Sequence, residues 1–220
     1  MTDAVAAETT RWPGGSLRAT GVSRSFEGVH ALRSVDIEVH RHEVVGLTRS
    51  REKLESLRDL GAEPVLCDVY DYETLQSVTQ QVGPQIIVNF LTDLSSGSVE
   101  ANNRVRREGG GNLLNAARIT AADRFVVESV AFALDGDAAQ AVEQLEQATR
   151  EFAGESVILR FGRFWGPGTN YRTPPQPPMI HIDTAGAKAA RLLTHAPPAT
   201  YLVTEIGDQS PLDPFPRPSQ

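Results

Sequence analysis

Hydrophobic and polar positions change their spacing near residue 44, and this change divides the chain into two unlike parts. From residue 44 onward, short apolar runs alternate with segments whose apolar residues recur three or four positions apart. The first such pair predicts a strand at 44–47 and a helix at 51–60, which repeats leucine at every third position and stops at Gly61.

The same alternation continues to residue 161. It predicts strands at 64–69, 85–91, 124–130 and 156–161, and helices at 72–82, 99–119 and 138–152. Strands that alternate with helices at this spacing are typical of a parallel, doubly wound sheet with helices on both faces. The predicted fold class of this part is therefore α/β.

The part before residue 44 has a different period. Val35, Ile37 and Val39 are apolar and alternate with polar residues, a period of two that is typical of a half-exposed antiparallel strand. Residues 16–22 are predicted to form a second strand. We therefore expect residues 17–47 to form an antiparallel ribbon in the place of a first strand–turn–helix unit.

Composition narrows the class of partner. The 220 residues are 40% hydrophobic, and 21 basic against 28 acidic residues leave a net charge of −7, so no basic surface for nucleic acid or an anionic membrane is expected. A small-molecule or protein partner is therefore predicted. Cys67 is the single cysteine and no metal-binding spacing occurs, which favours a reducing cytoplasm. No membrane segment is expected, and 1–16 and the proline-rich 206–220 are predicted to be tails.

Neither of the two common glycine-rich phosphate-binding motifs occurs in the sequence in its usual form. ATP hydrolysis by a P-loop needs GxxxxGK[ST], which does not occur, so an active ATPase of this kind is excluded. Dinucleotide binding normally uses three closely spaced glycines after the first strand. Gly21 and Gly28 are the candidates for that turn, but they are one residue too far apart for its outer pair, and the segment that follows has strand periodicity.

Six segments between about residues 43 and 204 carry a family resemblance by their order along the chain. They are LTRSREK, LGAEPVLCDVYD, ANNRVRREGGGNLLNAAR, RFVVESVAFA, LRFGRFWGPGTNY and IHIDTAGAKAA. Together they resemble the NAD-dependent epimerase/dehydratase proteins, which are extended and atypical short-chain dehydrogenase/reductases. The resemblance implies a Rossmann-like NAD(P)-binding domain at 44–205 and a small substrate of sugar-nucleotide type.

The resemblance also implies site residues. Those on the cofactor side are Arg49 and Ser50 after the second strand of the family fold, Asp68 and Val69 beside adenine, Asn89 beside the ribose, and Asn102 on the following helix. A cation after the second strand is typical of enzymes that prefer NADP, because it meets the 2′-phosphate, whereas an acid there is typical of NAD. NADP is thus favoured over NAD.

The catalytic machinery of the resemblance is incomplete. Ser129 matches the hydroxyl that polarises a substrate carbonyl, and Tyr171 is a candidate for contact with substrate. The family's Tyr and Lys, four residues apart, have no counterpart, since residues 131–159 contain no Tyr, Lys or His. The ordinary redox mechanism of the family is therefore not expected. The segment after Tyr171 is also short for a substrate-binding insert, so the substrate region is predicted to be truncated.

Residues 17–47 resemble another family, the ATP-binding domains of ABC transporters, whose opening strand pair leads into a similar HEVVGL segment. This suggests a fusion of two families near residue 44. Two alternatives to an oxidoreductase follow. One is a non-catalytic binding module with an exposed apolar edge that self-associates into a homo-oligomer. The other is an ABC-type fragment without ATPase activity, for which the sequence supplies no phosphate loop and no ABC permease partner is expected.

Overall fold

A computed structural model of the protein describes residues 17–26, 29–39, 43–93, 97–206 and 211–214. The strands are β1 (Leu17–Phe26), β2 (Val29–Val39), β3 (Val45–Thr48), β4 (Glu63–Leu66), β5 (Ile86–Asn89), β6 (Arg124–Val130), β7 (Glu155–Phe161), β8 (Arg163–Trp165), β9 (Met179–His181), β10 (Ala199–Val203) and β11 (Pro211–Pro214). The helices are α1 (Lys53–Asp59), α2 (Tyr72–Val82), α3 (Val99–Arg104), α4 (Gly110–Ile119), α5 (Gly136–Arg150) and α6 (Ile182–His195).

The main sheet has five strands in the order β11-β10-β7-β6-β5. Strands β5, β6, β7 and β10 are parallel, and β11 pairs antiparallel with β10. Strands β3 and β4 form a separate parallel pair. The predicted α/β class with a mostly parallel sheet is confirmed.

Between these two sheets, one strand position of the usual doubly wound order is filled by no strand of the described residues. A doubly wound sheet has the order 3-2-1-4-5-6, in which the first strand lies between the second and the fourth. Here β4 and β3 take the third and second positions, and β5 takes the fourth. No strand of the described segments lies hydrogen-bonded between β3 and β5. We call this position the gap.

The segment that would supply the first strand forms the predicted ribbon instead. Strands β1 and β2 pair antiparallel with each other, from Leu17 opposite Val39 to Phe26 opposite Val29, and they form their own two-stranded sheet. Only residues 27 and 28 separate the two strands in sequence, which is too few for the helical crossover that a parallel pair needs.

Two apolar cores lie on opposite faces of the main sheet. The first joins Phe125 and Val127 of β6 to α2, α4 and α5, and Leu47 and Val65 of the separate pair pack against it. The second joins the other face of β6, β7 and β10 to α6. The separate pair is thus held to the main sheet by side-chain packing on the first face.

The second face is poorly covered beside the gap. Val88 of β5 is 40% exposed, although it stands in a strand between the half-buried Ile86 and Phe90. Helix α1 covers β3 at Gly46, where a Cβ would approach Leu57 to 3.0 Å, yet α1 buries none of its residues fully. A complete first unit would place its helix on this face, since crossovers in such sheets are right-handed.

Two predicted elements differ from those observed. The single helix predicted at 99–119 contains a π-helical turn at Val105–Gly109, between α3 and α4. The glycines here allow close packing, because a Cβ on Gly110 would lie 2.6 Å from Leu145 of α5. The predicted tail at 206–220 contains strand β11, whose two prolines are tolerated because β11 lies at the edge of the sheet.

Candidate functional site

The carboxyl ends of parallel strands meet at one edge of the sheet, where doubly wound folds bind ligands. Arg49 follows β3, and Asp93 follows β5 by four residues. The Arg49 Nη2 atom lies 3.5 Å from Asp93 Oδ2, and the two side chains are 58% and 14% exposed. This ion pair crosses the gap at its carboxyl end and joins the two sheets there.

A second pair of side chains stands beside the first. The Arg104 guanidinium lies 4.1 Å from the centre of the Tyr70 ring, and its Nε donates to Glu108 at 2.6 Å. Burial raises the pKa of the Tyr70 hydroxyl, Asp93 and Glu108 add to the rise, and Arg104 and Arg49 oppose it. The phenol and both charge pairs therefore share one electrostatic environment, which we call the arginine cluster and define as Arg49, Tyr70, Asp93, Arg104 and Glu108.

Several predicted cofactor residues adjoin the arginine cluster. Asp68 Oδ1 accepts a hydrogen bond from the Tyr70 N–H at 3.0 Å and orders the turn after β4. Asn102 Oδ1 accepts from the Asp93 N–H at 3.0 Å and fixes the loop after β5. The Val69 carbonyl accepts from Asn112 Nδ2 at 2.8 Å. These contacts bring the loops after β4 and β5 together with α3 and α4.

The remaining cofactor candidates are placed differently. The Ser50 N–H donates to Thr48 Oγ1 at 3.1 Å in the turn beside Arg49. Asn89 is only 3% exposed, and its Oδ1 accepts a hydrogen bond from the Leu91 N–H at 3.2 Å. It therefore orders the start of the loop after β5. Gly21 lies within β1 and is not followed by a helix, while Gly28 lies outside the described residues. The ribbon therefore does not form a strand–glycine turn–helix around Gly21.

Ser129 is part of a buried polar network. Its hydroxyl donates to Glu146 Oε1 at 2.6 Å, and Ser129 is 5% exposed. Glu146 also accepts from Arg160 Nε at 2.8 Å and from Arg150 Nη2 at 2.9 Å. Burial acts to raise the pKa of Glu146, but the bonds from Arg160 and Ser129 outweigh it, and the pKa lies below its ordinary value of 4.5. In this geometry the hydroxyl is engaged by a carboxylate of α5.

Tyr171 lies at the other end of the same edge, where the chain leaves β8. It is 44% exposed, and its backbone forms a bridge with Trp165. The Trp165 Nε1 donates to Glu205 at 2.7 Å, and the His181 ring packs edge-on against the indole at 4.6 Å. The edge thus has a charged half near the gap and an aromatic half near β8.

Sequence reasoning missed Tyr70, Asp93 and Arg104. Tyr70 follows the predicted strand 64–69 directly and Asp93 comes two residues after the predicted strand 85–91, so their position near the carboxyl edge was a usable signal. Arg104 stands on the same helix as the predicted Asn102 but reaches Tyr70 only through the tertiary fold. Among the described residues, no group of three or more metal-binding side chains occurs, and no helix is both long and apolar enough to cross a membrane.

Comparison with known proteins gives one curated relative and many structural neighbours. No family model matches the chain. A 3-diazoavenalumate denitrifying reductase from Streptomyces is 32% identical over 167 residues, covering 59% of this chain and 54% of the relative. The chain thus spans about half the length of that relative.

The structural neighbours include sugar-nucleotide enzymes. The UDP-Glc/GlcNAc 4-epimerase of Campylobacter jejuni has a TM-score of 0.61 at 14% identity, over 74% of this chain and 71% of that one. The UDP-glucose 4-epimerase of Thermus thermophilus, solved with NAD, has a TM-score of 0.57 at 16% identity, over 74% and 70%. The dTDP-glucose 4,6-dehydratase DesIV of Streptomyces venezuelae, also with NAD, has 0.58 at 17%, over 73% and 66%.

These likenesses show the fold. The chain has the Rossmann-like α/β fold of NAD-dependent epimerases and dehydratases, as its sequence predicts. The resemblance of residues 17–47 to ABC-transporter domains is not tested by these comparisons and stays a prediction.

Proposed function

We propose that this chain is an NADP-binding oxidoreductase of the epimerase/dehydratase type that acts on a small molecule. The observation that carries the proposal is the arginine cluster at the carboxyl edge, beside the gap. It places an exposed guanidinium after the second strand position, and it adjoins Asp68 on the loop after β4 and Asn102 on α3. The named reductase activity of the 32% identical relative supports the same class.

The state of Arg49 favours a 2′-phosphate as its ligand. Its pair with Asp93 is long and more than half exposed on the arginine side, and exposed pairs of this kind contribute at most about 1 kcal/mol. A phosphate carries more charge than one carboxylate and accepts two parallel N–H bonds from a guanidinium. Arg49 can therefore exchange Asp93 for a phosphate at small cost.

The proposed chemistry is hydride transfer, which a bound nicotinamide supplies. The chain's own part is to hold the adenosine half at Arg49 and Asp68 and to present substrate near the ends of β6 and β7. Acid–base help from a Tyr and Lys pair is not part of the proposal, because 131–159 contains neither residue. Ser129 stays the candidate for a substrate contact, provided that it leaves Glu146.

Titration calorimetry with NADP and NAD tests the proposal. We expect NADP to bind more tightly than NAD, and Arg49→Gln to weaken NADP about tenfold with little effect on NAD, since one phosphate contact is lost. Arg58→Gln, on the exposed side of α1, is the matched control and should bind like the unchanged chain. No binding of either dinucleotide at about 1 mM, the weakest useful affinity, contradicts the proposal.

A second candidate function is a self-associating module without catalysis. It is favoured by the gap, where β3 and β5 each have an edge that no described strand pairs, and by the exposed Val88. Light scattering tests it: concentration-dependent growth in mass that Val88→Thr reduces, without any dinucleotide binding, would favour the module. A monomer that binds NADP argues against it.

A further inference from the structure

The aromatic half of the carboxyl edge is built on the small parallel sheet of β8 and β9. Successive side chains of a strand point to opposite faces. Phe164 and the fully buried Ile180 are paired in register and pack on the second core. The alternate residues of the two strands, Arg163, Trp165, Met179 and His181, therefore share the opposite face, and all four are half-buried.

This face is fixed in place by its neighbours. The Trp165 indole is held by the bond to Glu205 at 2.7 Å and by the His181 ring at 4.6 Å. Gly166, at φ +111°, leaves room for this contact, since a Cβ there would lie 2.6 Å from His181 Nε2. The indole is thus a rigid apolar surface whose polar atom is already satisfied.

The positive charge of this face comes from Arg163. Its guanidinium lies 4.2 Å from the centre of the Phe132 ring, in the loop that follows β6 and Ser129. Within the described part of the chain, no carboxylate lies within ion-pair distance of Arg163, whereas Arg49, Arg104 and Arg107 each have one. A half-buried guanidinium stacked on a ring keeps its N–H fork available for a planar anion.

We propose that this face, together with Phe132, is a binding site for a planar aromatic carboxylate. Arg163 would take the carboxylate with its two parallel N–H bonds, and the Trp165 indole would take the ring. The Cα atoms of the two residues are about 6.6 Å apart at the usual rise of a strand, and a spacing of this order suits an acid whose ring and carboxylate are separated by a short conjugated chain. The inference rests on the proposed function, because it names the substrate class of the same edge.

Calorimetric titration with trans-4-coumarate and with its neutral primary amide, on the unchanged chain and without dinucleotide, tests the site. We expect the acid to bind at least tenfold more tightly than the amide. Equal binding of acid and amide overturns the proposal, as does the failure of either to bind at millimolar concentration. This comparison uses the unchanged chain only, so its outcome does not depend on whether a variant protein folds.

Two variants then locate the site. Arg163→Gln should abolish the preference for the acid, and Trp165→Phe should weaken acid and amide together, because it reduces the stacking area. Arg191→Gln, exposed on α6, should change neither. An acid preference that survives Arg163→Gln overturns the assignment. Binding of NADP without coumarate would remove this inference alone, and binding of coumarate without NADP would remove the proposed function alone.

Discussion

Glu146 holds several side chains near this site in structural hydrogen bonds, among them the candidate Ser129. Its side chain is 5% exposed, and it accepts hydrogen bonds from Ser129, Arg150 and Arg160 on three elements. A buried charge is stable only where such partners replace water. The network ties β6, α5 and β7 together directly beneath the carboxyl edge.

We predict that Glu146→Gln destabilises the protein by about 1.5–3 kcal/mol, the range for hydrogen bonds to a charged group. The neutral amide keeps the shape of the carboxylate but cannot accept from three donors equally. Urea denaturation near neutral pH measures the loss. The control is Glu143→Gln on the exposed side of the same helix, which should lie within about 0.5 kcal/mol of the unchanged protein.

The same residue predicts a pH dependence. The folded pKa of Glu146 lies below its ordinary value of 4.5, because the bonds from Arg160 and Ser129 favour the charged form over the burial that opposes it. Its contribution is therefore present above pH 4.5 and is lost as the pH falls through the lower, folded pKa. The stability difference from Glu146→Gln should shrink in acid. A difference that stays constant as the pH falls well below 4.5 would contradict this assignment.

Residue types and their order identified part of the candidate site. Arg49, Asp68 and Asn102 were identified because they follow strands or stand on the next helix in a familiar order, and the structure brings them near one another. The rest could not be found in this way. The Arg104 stack on Tyr70 and the Arg163 stack on Phe132 each join residues more than thirty positions apart, so only the fold reveals them.

At the scale of elements, close backbone contact decides where β8 and β9 lie. A Cβ on Gly162, between β7 and β8, would come within 2.7 Å of the Met179 backbone nitrogen. Backbone atoms cannot move aside as a flexible side chain can. The proposed aromatic site is therefore positioned by a glycine that precedes it in sequence.

We predict that Gly162→Ala destabilises the protein by about 1–3 kcal/mol, the usual cost of overpacking. Gly111→Ala is the matched control, because its Cβ would meet nothing within 4 Å and it stands in α4. That control should stabilise the protein by about 0.5–1 kcal/mol, since alanine is the better helix former. Thermal or urea unfolding of both variants measures the change in the free energy of unfolding. Equal effects of the two substitutions would mean that the contact at Met179 is unimportant.

Most elements were predictable because apolar spacing reflects burial on one face. The alternation of strands and helices after residue 44 and the ribbon before it follow from periods of about 3.6 and 2. The strands β8, β9 and β10 lie beyond the last predicted strand, and the π-helical turn at Val105–Gly109 and strand β11 were not predicted either. The π-helical turn and β11 depend on tertiary packing: the first on the approach of Gly110 to Leu145, and the second on pairing with β10.

At the scale of the whole molecule, the gap divides the strands into two units that differ in the number of strand pairings. Strand β6 has a partner on each side, whereas β3 and β4 have only each other among the described strands. The two units share the first core and the Arg49–Asp93 pair. Regions with fewer pairings open at lower free energy than the global core.

We predict that hydrogen exchange separates these two units. Paired amides of β3 and β4 should exchange at least about tenfold faster than those of β6 and β7, which corresponds to about 1.4 kcal/mol less opening free energy. Exchange measured by NMR or mass spectrometry tests this, with NADP as a second condition. If NADP binds across the edge as proposed, it should slow β3 and β4 selectively. Uniform protection of all four strands would show a single cooperative unit.

The gap also makes the fold modular. Everything that a complete dinucleotide-binding sheet would add here is one contiguous stretch: a strand, a glycine turn and a helix placed immediately before β3. Such a stretch can be exchanged at a single junction near residue 44 without altering the sequence of β3 to β11. A complete first unit from another protein of this fold could therefore be inserted before β3. The gain in dinucleotide affinity over the unchanged chain would then measure what that unit contributes to binding.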